Sequence, residues 1–398
     1  MRVLVTVNDA FGHVLPLAPT VHALAAHGHD VFVACPGPTA RLVRRHGAKV
    51  RGPSVEVREY VLTPLPQVRQ APPRSDPAAR LAWAVRTSWP NVARGWTAAL
   101  LEDARVWRPD LVVVEPVEHA GRVVAAALDV SLVEHGWGFT LPAGDDAAAG
   151  EGLADLYAAA GAVPRPPDLR VDLGHGRMQA GDVPPAVERY RYAPWSPPAP
   201  PLPPPDGKPR VLVTLGTFPH PDAASRLRAA AEVAAALDTD VVVAVGNRDR
   251  LDGGAWPPGV LVADWIDLPA EVTRCALVVH HGGAGTSWDA LSAGVPAGCL
   301  PQAGDQFRNA ELLARAGAGL VVQPDNADAD ILRNALAHAL DDSSMATAAR
   351  HAQQHNAALP GPDELATRLA RWCHARKSRS ARAADRSQQK PSRASRPD

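Results

Sequence analysis

One plan is laid down twice along this chain. Arg2 to Val7 (RVLVTV) is a β-branched run that breaks at Asn8-Asp9, after which apolar residues return at helical spacing (Leu17, Val21, Leu24, Ala25) up to Gly28. Asp30 to Cys35 and Leu111 to Val114 repeat the short apolar run, the latter followed by a helical segment at Ala120 to Leu128. Arg210 then opens a second series (RVLVTLGTF), with a helix over Ala223 to Leu237 and runs at Asp240 to Val245, Val260 to Ala263 and Ala276 to His280. Short β-branched runs alternating with helical periodicity make βα units around parallel sheets, so the pattern predicts an α/β chain. Between the series lies Ala193 to Pro209 (APWSPPAPPLPPPDGKP), whose prolines cannot continue a helix or a central strand. With 398 residues and 46% hydrophobic content there is material for two cores. The expected organisation is a Rossmann-like domain over 1–192, a linker over 193–209, a second Rossmann-like domain over 210–376 and a disordered basic tail over 377–398. Val55 to Trp96, with scattered prolines and no clean strand, reads as loops and helices decorating the first domain.

Charge narrows the partners. With 41 basic and 42 acidic residues the net charge is -1, leaving no field to hold a nucleic acid or an anionic membrane. No stretch approaches the ~20 apolar residues of a membrane span, so no membrane insertion is expected. The run Val3 to Val7 is too short for a signal peptide. Cys35, Cys275, Cys299 and Cys373 are scattered, without zinc or disulfide spacing, which fits a cytoplasmic protein.

The densest motif is His280-His281-Gly282-Gly283-Ala284-Gly285-Thr286, between an apolar strand and an amphipathic segment ending at Gly294-Val295-Pro296. A strand, glycine loop and helix aim unpaired backbone N–H groups and the positive helix end at one point, which is a phosphate cradle. Trp265-Ile266 stands upstream and Pro301 to Gln306 (PQAGDQ) downstream. Taken together, these residues resemble the signature of family 1 glycosyltransferases, in particular the bacterial natural-product branch acting on macrolides, glycopeptides and related aglycones. The resemblance runs from the first strand to about Leu369 and implies the GT-B fold, two Rossmann-like domains facing each other across a cleft. It implies that His281 contacts the donor diphosphate, with Gly283, Ala284, Gly285, Thr286 and Thr217 supplying further donors. Asp305 and Gln306 would hold sugar hydroxyls, Trp265 would lie against the base and Ile266 would offer its main chain to the base edge. Strand alternation sends His280 to the opposite face, so it reads as structural.

An acceptor hydroxyl needs a positioned base. His13, in Phe11-Gly12-His13-Val14-Leu15-Pro16, follows the first strand at the mouth of a helix, where open α/β sheets place their sites; the same pattern carries the base in the family it resembles. The helix end is expected to keep His13 neutral. Glu115, directly after the strand Leu111 to Val114, is the expected carboxylate partner, with Glu118 the alternative. Many family members carry Asp there.

The implied reaction is a metal-independent, inverting displacement that moves a hexose or deoxyhexose from UDP or dTDP onto a hydroxyl of a small aglycone, without further cofactor. Two DxD strings, Asp238 to Asp240 and Asp328 to Asp330, read as caps or turns. Acceptor contacts are expected from Trp83, Trp89 and Trp96 and from Glu134 to Phe139, Trp137 above all. A GT-B nucleotide-sugar epimerase and a catalytically silent binding or activating homologue are the competing readings. Either a monomer or a homodimer is compatible with the sequence.

Overall fold

The computed structural model describes residues 1–37, 39, 55–62, 72, 76–139, 152–174, 176, 187–217, 222–246, 254–323 and 328–388. The first sheet comprises β1 (Arg2–Thr6), β2 (Asp30–Pro36), β3 (Val55–Tyr60), β4 (Leu111–Val114), β5 (Ser131–His135), β6 (Leu169–Leu173) and β7 (Val187–Tyr190). They run in the order β3-β2-β1-β4-β5-β6-β7, and every pair is parallel. The second sheet comprises β8 (Arg210–Thr214), β9 (Asp240–Ala244), β10 (Leu261–Ala263), β11 (Leu277–His280), β12 (Ala297–Cys299) and β13 (Gly319–Val321), in the order β10-β9-β8-β11-β12-β13. These pairs are parallel too. Ala193 to Pro209 between them contains neither helix nor strand.

The central strands β1 and β8 have the same sequence, RVLVT. In both sheets the order reverses beside that strand, between β1 and β4 and between β8 and β11. Successive crossovers leave in opposite directions there, opening a crevice beyond the carboxyl ends of the two strands. The register puts Thr6 beside Val114 and Thr214 beside His280, so the loops after each pair begin level with one another. Four helices start at or next to these crevices: α1 (Phe11–Ala26) after β1, α2 (Ala120–Ala127) after β4, α3 (Ala284–Ala293) after β11 and α4 (Gln306–Arg315) after β12. Val211, Leu212, Val213, Leu277, Val278 and Val279 are fully buried. Truncating such a leucine to alanine costs roughly 2–5 kcal/mol, which makes the floor of the second crevice rigid.

The domains meet at Trp288 of α3. Its indole, fully buried, packs on Phe139 and Tyr192 and lies against Gly138 and Gly174 of the first domain. A Cβ on Gly138 would fall 2.2 Å from its Cδ1, and one on Gly174 would fall 2.1 Å from its Cη2. Positive φ at both positions, +117° and +81°, also favours glycine.

The C-terminal end departs from the expected organisation twice. The last helix, α5 (Pro362–Gln388), returns to the first domain, where Leu365, Ala366, Leu369 and Cys373 join the core under α1. Asp363 pairs with His27, and Cys373 Sγ donates to the Asp110 carbonyl. Helical spacing announces such an apolar stripe but not which domain receives it. The segment from Lys377 onward, expected to be disordered, continues this helix to Gln388, while 389–398 lie outside the described residues. Its Ala, Arg, Lys and Gln residues are strong helix formers, so the missing apolar periodicity removes a packing signal without removing propensity. Among the described residues no helix is long and apolar enough to cross a membrane.

Candidate active site

The first crevice holds an imidazole and a carboxylate. Ala10, extended and without a side-chain cap, starts α1, and His13 stands in its first turn. Its Nδ1 lies 2.9 Å from Glu115 Oε1, which projects from the loop after β4. Because a carboxylate only accepts, the hydrogen belongs on Nδ1, and Nε2 keeps its lone pair in the neutral ring. Glu115 is fully buried and accepts further from Val117 N–H at 2.8 Å and from the Asn8 amide at 2.8 Å. Glu118 turns the other way, accepting from the Thr6 hydroxyl and from the Ala120 and Gly121 N–H groups at the start of α2. Burial pushes its carboxyl up to about 7. Of the two expected partners, Glu115 is the one that meets His13.

The pKa of His13 shifts the opposite way from the one the helix end implies. Burial lowers its pKa, but the Glu115 carboxylate, by charge and by hydrogen bond, and Asp305, by charge, outweigh burial and raise it above 6.5. A full negative charge at 2.9 Å exceeds the fractional charge of a helix end.

Aromatic rings wall this imidazole. Trp137 lies 4.6 Å from it, centroid to centroid, and Trp89 5.4 Å. Trp89 is aimed by a π-helical turn, Ala84–Ser88, that follows Trp83 at the end of the helix Pro77–Trp83. Trp96 does not belong to this wall: it is 2% exposed and packs on Tyr60 in the core. Within Glu134 to Phe139, Glu134 pairs with Arg122, His135 is buried against Thr20, and Phe139 packs on Trp288, leaving Trp137 as the residue beside His13.

The second crevice is built from glycines and uncharged rings. His280 is fully buried; its Nδ1 accepts from Gly282 N–H at 3.1 Å and its Nε2 lies 3.6 Å from Cys299 Sγ, a structural role. The His281 ring is wedged between two glycines: a Cβ on Gly216 would come within 2.6 Å of its Cε1, and one on Gly283 within 2.3 Å of its Nε2. Gly282, at φ +82°, would press a Cβ to 2.6 Å from the Gln306 carbonyl. Burial brings His280 down to about 3 and His281 to about 4, so both rings are neutral. His281 Nδ1 is buried and meets no hydrogen-bond partner among the described residues.

Gly283 caps α3 without a side chain, so the N–H groups of Ala284, Gly285 and Thr286 in its first turn have no intrahelical acceptor. Thr217 follows Gly216, the glycine that lies against the His281 ring, on the loop after β8. Asp305 is the N-cap residue of α4; its carboxylate accepts from Asn309 Nδ2 at 2.8 Å, and its charge reaches His13 in the other domain. Gln306 Oε1 accepts from the Gln302 and Ala303 N–H groups at 2.9 and 3.1 Å, so its side-chain carbonyl orders the preceding loop. Trp265 meets Phe11 of α1 at 5.1 Å, a contact between the domains, and Ile266 is buried with its carbonyl 3.5 Å from the Ser196 hydroxyl. The DxD strings are occupied structurally: Asp238 pairs with Lys208, Asp240 with Arg210, and Asp328 caps the helix Ala329–Asp341. Phe11, Asn8 and Trp288 are the residues of this region that motif spacing did not single out.

Comparison with known proteins accounts for the arrangement. The model of the erythromycin biosynthesis protein CIII-like N-terminal domain matches residues 22–174, and that of the C-terminal domain matches residues 228–371. The elloramycin glycosyltransferase ElmGT of Streptomyces olivaceus is 35% identical over 393 residues, covering 93% of this chain and 97% of its own. SsfS6 of Streptomyces sp. SF2575, a glycosyltransferase solved in complex with thymidine diphosphate, superposes with a TM-score of 0.78 at 28% identity, covering 93% of this chain and 99% of SsfS6. The spinosyn rhamnosyltransferase SpnG, complexed with spinosyn aglycone, gives 0.78 at 26% identity over 93% of this chain and 100% of SpnG. Two facing Rossmann-like domains, a glycine-lined crevice and near full-length likeness to such enzymes lead to one assignment: the chain belongs to the erythromycin CIII-like family of bacterial natural-product glycosyltransferases, with the GT-B fold.

Proposed function

We propose that this glycosyltransferase moves a hexose or deoxyhexose from a TDP-sugar to a hydroxyl of an aromatic or macrocyclic aglycone, with inversion at the anomeric carbon and without a metal ion. The observation that carries the reading is the His13–Glu115 pair, walled by Trp137 and Trp89 and within electrostatic reach of Asp305 from the donor domain. His13 Nε2 takes the acceptor proton as its oxygen attacks the anomeric carbon from the face opposite the diphosphate, and Glu115 stabilises the imidazolium that forms. Bond breaking places charge on the leaving diphosphate. The first-turn N–H groups of α3, Thr286, Thr217 and His281 are the donors that meet it, with Asp305 and the Gln306 amide on the sugar hydroxyls. Thymidine is preferred over uridine here because SsfS6 is named in complex with thymidine diphosphate.

The test is a mass-read transfer assay crossing TDP-glucose, TDP-rhamnose and UDP-glucose with a panel of flat polyketide and macrolide aglycones. Transfer from a TDP-sugar with inverted anomeric configuration by NMR supports the reading; retained configuration, or loss of transfer with EDTA that magnesium restores, overturns it.

A further inference from the structure

Asn8 lies two residues beyond β1, at the floor of the first crevice, and is 2% exposed. One hydrogen of its amide goes to Glu115 Oε1 at 2.8 Å and the other to the Val117 carbonyl at 3.0 Å, while its backbone N–H lies 3.4 Å from the same Oε1. Val117 N–H in turn donates to Glu115 Oε2 at 2.8 Å. One side chain thus ties the loop after β1 to the loop after β4 and touches the oxygen that faces His13.

Glu115 reaches His13 through three rotatable side-chain bonds, one more than an aspartate has, and that freedom has to be removed for its oxygen to stay on Nδ1. Without the Asn8 side chain, Val117 N–H would hold Oε2, while Oε1 would keep only the His13 hydrogen bond it is meant to orient and a long 3.4 Å approach from the backbone N–H of residue 8. The Asn8 amide fixes that oxygen. Resting on the reading of His13 as the base, we propose that Asn8 is a positioning residue of this enzyme: it locks the Glu115 carboxylate onto His13 Nδ1, and so sets which imidazole nitrogen is left open to the acceptor. A hydrogen-bonded orienting group of this kind governs the tautomer of a base and the precision of its aim. The other acidic groups near the pair are Asp305, across the cleft, and Glu118, turned away onto Thr6. Neither hydrogen-bonds to Asn8.

The experiment is an NMR titration of the unliganded full chain with ¹⁵N-labelled histidine, the His13 signals being identified by their loss in His13→Ala. In Asn8→Leu the carboxylate loses its lock, and His13, still buried, is expected to titrate about one pH unit lower and to show both neutral tautomers in place of Nδ1–H alone. Asn8→Ala supplies the same test with a smaller side chain should leucine disturb folding. An unchanged His13 titration and tautomer in a folded Asn8 variant overturns the proposal. Because the readout needs no substrate, it is separate from the role of His13 itself: unchanged kcat in His13→Ala removes the base, whereas an unchanged titration removes only Asn8. Where both hold, kcat falls about 10- to 100-fold in Asn8→Leu, and the same change adds nothing in a His13→Ala background.

Discussion

The two crevices are built on strands of the same five residues and are lined by opposite chemistry. After β1 and β4 the chain gathers ionisable groups: His13 from the first loop, Glu115 and Glu118 from the second, with His13 lifted above its usual value by a buried carboxylate. After β8 and β11 it gathers glycines and two histidines that burial holds near 3 and 4, neutral at any physiological pH. The shared strand sets where a crevice opens; the loops that follow decide whether it gathers titratable groups or neutral donors. A general base must change charge during turnover. A diphosphate cradle works by not changing, since fixed dipoles need no rearrangement as charge develops.

This division can be broken by substitution. His13→Ala is expected to lower kcat about 10²- to 10⁴-fold while TDP-sugar affinity, measured by calorimetry, stays near wild type; loss of affinity to the same degree would merge the two sites. Glu115→Gln should follow with a loss of about 10²-fold in kcat, since an amide cannot hold the imidazolium, whereas Glu118→Gln should change kcat little. Comparable losses from both glutamates would show that the pair is not selective. On the donor side, Gly283→Ala forces a methyl group against the His281 ring. It should weaken TDP-sugar binding about 10-fold, with kcat at saturating donor less affected.

The smallest expected effect is an absence of one. As pH falls through the raised pKa of His13 the base becomes protonated, so kcat/KM should drop with a midpoint above 6.5. TDP-sugar affinity should stay level from about pH 8 to about pH 5, because His281 takes up a proton only near 4. Parallel profiles would mean that the cradle also titrates.

Much of this was readable in the residues. Glu115 could be placed beside His13 because strands β1 and β4, read as apolar runs, are parallel neighbours whose loops start level. Trp137 and Trp89 were legible as aromatics; Trp96 looked the same in sequence and is core, since composition does not say which ring faces inward. The direction of the His13 shift is not legible, because a helix end is visible in sequence while the distance to a buried carboxylate is not. Asn8 sits where the apolar run breaks, and a polar residue there reads as an ordinary turn until its two amide hydrogens find Glu115 and the Val117 carbonyl. The return of α5 to the first domain is likewise a matter of tertiary packing, which an amphipathic stripe permits without specifying.

Trp288 carries a mechanical corollary. Its indole occupies a slot in the opposite domain whose two walls leave no space for even a methyl group. The halves are therefore keyed like a pin in a socket, so that sliding one past the other requires pulling the indole out. Since the pin stands on the helix whose first turn leaves its N–H groups open, the key between the halves and that helix end share one rod.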